Sequence, residues 1–161
     1  MSAVFSALTV AILYIASVWP TGQLGLVAVS SLLAAAAVIE TGPASGLYVF
    51  IVSSAIGMLI LPNRAAPLLY IMFFGYYPVV KSLIERAGKA FFQWLLKILV
   101  FNASLTVIWF LLRGLIFGSF GDTPGAALIY IAGNIIFVIF DYGYTKLIWF
   151  YIERVSKYMR K

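Results

Sequence analysis

Six apolar runs, each about as long as a bilayer crossing, follow one another along this chain with only short breaks between them. The breaks are "PTGQ" at 20–23, "ETGP" at 40–43, "PNR" at 62–64, a charged stretch at 81–89 and "GSFGDTPG" at 118–125. A hydrocarbon core ~30 Å thick takes about 20 helical residues to cross. Composition leaves these runs no other solvent. Charged residues make up 10% of the chain and hydrophobic residues 64%, with a mean hydropathy of +1.07. A soluble domain carries about a quarter charged side chains, so this chain cannot cover a globular surface.

In lipid every backbone N–H and C=O must be paired within its own segment, so each run is expected to be helical despite its Val and Ile content. The spans read as 3–19, 24–39, 45–61, 66–84, 91–117 and 126–151, with a basic tail at 152–161. The first run has no Lys or Arg ahead of it and leads into a second apolar run, so it reads as a span rather than a leader. The expected fold is an all-α integral membrane protein, a six-transmembrane-helix bundle in one domain. A re-entrant pair formed by spans 2 and 3 is the rival arrangement.

Orientation follows from the cations. Lys81, Arg86 and Lys89 lie between spans 4 and 5, and Arg154, Lys157, Arg160 and Lys161 follow span 6. Two crossings separate these clusters, so they share one side, expected to be the cytoplasm, and an even span count puts both termini there. The loops carrying Arg64 and Asp122 then face outward. The net charge of +6 points to anionic lipid at the cytoplasmic face of a bacterial plasma membrane rather than to nucleic acid.

Cysteine and histidine are both absent. That removes disulfides, thiolate nucleophiles, most zinc and haem ligation and the commonest general base. No phosphate-binding, zinc-protease or nucleophile-elbow pattern occurs. No cofactor, metal site or enzymatic activity is expected.

Polar side chains inside spans are costly and usually face the bundle interior. Asn102, Thr106, Trp109 and Arg113 fall at i, i+4, i+7 and i+11, on one helix face. Tyr130, Asn134, Phe137 and Asp141 repeat that spacing on span 6, and Tyr70, Phe74, Tyr77 and Lys81 repeat it on span 4. At ~1.5 Å per residue, Asn102 and Asn134 both lie near the midplane, close enough in depth to bond each other or a ligand. Asn102, Trp109, Arg113, Tyr130, Asn134 and Tyr70 are the candidate ligand-binding residues of an outward-facing pocket with aromatic walls and a positive bias. Packing glue and interface anchoring explain the same residues without a ligand. Lys97 and Asp141, at similar depth near the inner side, are expected to form a structural ion pair.

Two backbone features complete the reading. Ala3, Ala7 and Ala11 repeat every four residues and make a narrow seam on which a second helix, internal or foreign, could dock. In "FFGYYPVVKSLIER" at 73–86, Gly75 and Pro78 are expected to kink span 4. Tyr76 and Tyr77 can serve the freed backbone groups, and Glu85 can pair with Lys89 at i+4.

Six short spans, the alanine seam and the "GPASGLYVF" run at 42–50 resemble the substrate-binding S components of energy-coupling factor transporters. The resemblance covers the whole chain as architecture. It implies a vitamin-like small-molecule substrate taken from outside. It also implies docking of Ala3, Ala7 and Ala11 on a transmembrane coupling protein driven by ATPases. Rod-shape MreD-type proteins are similar in size and span count and imply instead a non-transporting scaffold.

Overall fold

A computed structural model describes residues 1–86, 89–117 and 125–156, without the side chains at 20, 111–117, 126 and 155–156. The Arg113 side chain, Asp122 and the tail residues Lys157, Arg160 and Lys161 therefore lie outside the described residues. Every regular element among the described residues is helical and none is a strand. The helices are α1 (Ser2–Val18), α2 (Gln23–Thr41), α3 (Pro43–Ile60), α4 (Ala65–Leu69), α5 (Tyr77–Arg86), α6 (Ala90–Phe117) and α7 (Ala126–Tyr151). A π-helical turn, Tyr70–Phe74, joins α4 towards α5, and another, Ile152–Ser156, follows α7.

Five stretches are long and apolar enough to cross a membrane: Gln23–Thr41, Pro43–Ile60, Ala65–Arg86, Ala90–Phe110 and Ala127–Arg154. The 17-residue α1 is apolar but shorter. α2 and α3 are full helices of 19 and 18 residues, about 27–28 Å each at 1.5 Å per residue. A single residue, Gly42, separates them. Its φ of 99° lies in the left-handed half of the map, which a side chain disfavours. Its N–H closes α2 on the Val38 carbonyl, and Pro43 opens α3, where the missing N–H of proline costs nothing.

α2 is the hub. It packs on α1, α3, α4, α5 and α7. The reason is its run Ala34–Ala37, four buried small residues that let neighbouring backbones come close. α1 turns Ser6, Thr9, Leu13 and Ala16 inward. Its hydroxyls bond back to their own helix, Ser6 to the Ser2 carbonyl and Thr9 to the Phe5 carbonyl, so the small face is polar in composition yet internally satisfied. α6 and α7 pack on each other, and α6 also packs on α4, the π turn and α5. Their outer faces are largely exposed, with Phe110, Ile131, Ile136 and Ile139 among the large side chains there. That is the pattern of a helix pair turned to lipid on one side.

The break in span 4 is built differently from a simple proline kink. The chain widens into the π turn, closed by the Gly75 N–H on the Tyr70 carbonyl at 2.7 Å. α5 then starts afresh, with the N–H groups of Val79 and Val80 on the Tyr76 carbonyl at 3.1 Å. Pro78 therefore occupies the first turn of a new helix, where it removes no bond that the helix needs. The Tyr76 hydroxyl donates to the Met72 carbonyl at 3.0 Å and also bonds the Ser104 hydroxyl, which ties the interruption to α6. Gly75 is the residue that the packing demands. A Cβ there would lie 2.5 Å from Phe50 and 2.6 Å from Tyr70, both ring carbons.

Gly75→Ala is accordingly expected to overpack the π turn and destabilise the protein by about 1–3 kcal/mol. A thermal unfolding series in detergent checks this, with Gly25→Ala, at an open position, as the neutral control.

Candidate functional site

Four charged side chains meet where α5, α6 and α7 converge. Asp141 of α7 accepts from Lys81 Nζ at 2.5 Å on Oδ1 and from Lys97 Nζ at 3.1 Å on Oδ2. Glu85 Oε1 accepts from the same two ammonium groups, at 2.9 Å from Lys81 and 2.7 Å from Lys97. The result is a closed ring of alternating charge, two cations and two anions, with no net charge. Tyr77 donates to Asp141 Oδ1 at 2.5 Å and Lys81 donates to Thr145 Oγ1 at 2.9 Å. Lys81 and Asp141 are each 2% exposed and Lys97 5%, while the Glu85 side chain is 40% exposed. Taking one ion out of water costs several kcal/mol, which only a well-satisfied partner set offsets. Here each buried charge has at least two partners.

The sequence placed Lys97 beside Asp141, and the two are in contact. It placed Lys81 both among the loop cations and on the inward stripe of span 4 with Tyr77, and it placed Glu85 beside Lys89. The stripe position holds, while the loop placement of Lys81 and the Glu85–Lys89 pair are corrected. Lys81 is inside the bundle because α5 continues through it, one helical turn beyond Tyr77. Glu85 bonds Lys81 and Lys97 instead, since the start of α6 runs back along the end of α5. Gln93 donates there to the Glu85 carbonyl at 3.1 Å.

Above this ring the α6 and α7 stripes face each other and close like a ladder. Phe101 and Phe137 stack with centroids 4.4 Å apart and 12° between planes. The next rung is a reciprocal amide pair, in which Asn102 Nδ2 donates to Asn134 Oδ1 and Asn134 Nδ2 to Asn102 Oδ1, both at 3.0 Å. The second N–H of each amide goes to its own helix, at Ile98 and Tyr130 carbonyls, both at 2.8 Å. One turn further, Thr106 and Tyr130 share a hydroxyl–hydroxyl bond of 2.5 Å.

The remaining candidates are dispersed. Trp109 lies half-buried on α6 beyond Thr106. Tyr70 is fully buried in a different core, with Leu13, Val27, Leu61 and Leu69, and its ring lies 6.1 Å from Phe50. It does not join the asparagine pair. Two cavities among the described residues, one between α2 and α7 and one between the π turn and α6, are lined mainly by apolar side chains. Neither contains a candidate ligand residue. Ala3, Ala7 and Ala11 all lie exposed on the outer side of α1. No group of His, Cys, Asp and Glu able to hold a metal occurs among the described residues. No protein family, curated protein or solved structure matches the chain.

Removing Asp141 leaves two buried ammonium groups sharing one half-exposed carboxylate. Asp141→Asn should therefore cost about 3–5 kcal/mol, whereas Tyr77→Phe removes one hydrogen bond and should cost about 1–2 kcal/mol. Thermal denaturation in detergent micelles measures the order of the two, and equal losses would contradict the ring as the main contributor.

Proposed function

We propose that the protein is a non-transporting helical scaffold that crosses the membrane six times, keeps both termini on the cytoplasmic side of a bacterial plasma membrane and organises other membrane proteins. The observation that carries this reading is the reciprocal Asn102–Asn134 pair. Both N–H groups of each amide are taken up inside the bundle, so the polar groups nearest the bilayer midplane hold helices together and offer no donor to a solute. Partners would dock on the lipid-facing surfaces, with the exposed Ala3–Ala7–Ala11 seam of α1 as the face of closest approach.

A second reading keeps one specific observation. The resemblance to S components of energy-coupling factor transporters places a docking helix at the alanine seam, and that seam is turned outward. In that reading Trp109, Arg113 and Tyr130 bind a small, anionic or aromatic solute near the outer end of α6 and α7, and the coupling protein with its ATPases sits on α1.

The cytoplasmic orientation rests on Arg86, Lys89 and Arg154 with the sequence's tail cations, since Lys81 is neutralised in the ring. The chain has no cysteine, so single cysteines report without background. A membrane-impermeant maleimide is expected to label Asn63→Cys in intact cells and Lys89→Cys only after lysis. The reverse pattern would invert the topology.

Native mass spectrometry of protein purified in mild detergent separates the two functions. The scaffold reading expects a co-purifying membrane protein that is lost with Ala7→Trp, and no stoichiometric solute. A retained small molecule that disappears with Trp109→Ala or Arg113→Ala would overturn it in favour of the solute-binding reading.

A further inference from the structure

The groove between α2 and α7 has a built polar end that neither function uses. α2 and α7 run in the same direction and are pinned by Tyr144, whose hydroxyl donates to the Ser31 carbonyl at 3.0 Å. Beyond that bond they part around a cavity of about 200 Å³, below the ~300 Å³ at which pockets for compact solutes begin. Its floor is Ala35 and Ala36, both buried, and its walls include Leu32, Ile39, Leu147 and Phe150. A narrow apolar slot along two membrane helices suits a single hydrocarbon chain.

At the end of this slot the polarity changes abruptly. Glu40 closes the last turn of α2, and Tyr151, itself part of the lining, is the last residue of α7. Glu40 Oε1 and the Tyr151 hydroxyl are buried atoms beside each other, and neither has a hydrogen bond to a third described group. Glu40 forms no ion pair among the described residues. A carboxylate at a membrane helix end that meets at most a neutral hydroxyl is costly there and attracts a cation. Arg154 follows one turn after Tyr151 and lays its guanidinium over Phe150, a groove wall, at 5.8 Å. One end of an apolar slot thus presents a carboxylate, a hydroxyl and a guanidinium.

We infer that the α2–α7 groove is a lipid site selective for a phospholipid with a primary amine in its headgroup. One acyl chain lies along the slot. The ammonium, with its N–H donors, bonds Glu40 and the Tyr151 oxygen, and the phosphate takes the Arg154 guanidinium. An anionic headgroup without an amine would bring its charge to Glu40 unpaired. A quaternary amine would supply charge but no N–H. The inference uses the membrane setting and neither the scaffold reading nor the orientation.

The test is native mass spectrometry of the full chain in detergent, titrated separately with phosphatidylethanolamine, phosphatidylglycerol and phosphatidylcholine of identical acyl chains. One phosphatidylethanolamine per chain is expected to bind at least about tenfold more tightly than either other lipid, the size of one charge-assisted hydrogen bond. Glu40→Gln is expected to abolish that preference with the fold intact by circular dichroism. Should Glu40→Gln fail to fold, Arg154→Gln, at an exposed position, is expected to weaken phosphatidylethanolamine binding severalfold. Equal binding of the three lipids by the native chain overturns the inference, and so does a preference for phosphatidylethanolamine that survives Glu40→Gln.

Discussion

The Asp141 carboxylate, enclosed by Lys81, Lys97 and Tyr77, is the interaction on which the C-terminal half of the bundle depends. It joins three helices at a single anion, and Glu85 completes the ring so that no net charge is buried. The arrangement also explains the neighbouring geometry. α5 must begin again after the π turn for Tyr77 and Lys81 to point at α7 together, one turn apart. α6 must start alongside the end of α5 for Lys97 to reach both carboxylates. Hydrophobic burial alone would not fix that register, because lipid tails are as apolar as the helix faces and give no drive for one apolar contact over another.

A division of labour follows between the halves of the chain. α1, α2 and α3 associate through small residues, with most hydroxyls folded back on their own helices and two hydroxyl contacts, Ser2–Ser45 and Ser53 to the Ser6 carbonyl, between α1 and α3, so their cohesion is mainly close van der Waals packing. α6 and α7 associate through an ordered ladder of unlike rungs: ion pair, stacked rings, paired amides and paired hydroxyls. Each rung bonds best at one relative height, so the ladder sets the sliding register of the pair. The same residues that suggested a solute pocket are therefore the means by which two long, largely lipid-exposed helices find one alignment.

Much of this is legible in the sequence. The spacing of Asn102, Thr106, Asn134 and Asp141 identified the facing stripes, because intramembrane polar groups have few places to go and helical periodicity names the face. Lys97 beside Asp141 followed from equal depth. Glu85 was missed because its partners come from a fold-back through the α5–α6 connection, and local i, i+4 logic offered Lys89 as the nearer choice. Tyr70 was grouped with Tyr77 because they share a helix face in sequence. The two enter different cores, on either side of the interruption at Gly75 and Tyr76.

The sequence by itself determined that the chain is a series of long apolar segments suited to lipid, that those segments are helical and where most of them break, since so few charges and so many apolar side chains leave little else. Only the tertiary structure decided which of two small faces of α1 is turned inward. Ser6, Thr9, Leu13 and Ala16 pack, where Ser53 can meet the Ser6 carbonyl at 3.4 Å, and Ala3, Ala7 and Ala11 are left outside. It also decided that Lys81 is an interior cation and that Glu40 and Tyr151 share the end of one groove. Those outcomes depend on which helices become neighbours, and helix periodicity gives the direction of a side chain without naming what it meets.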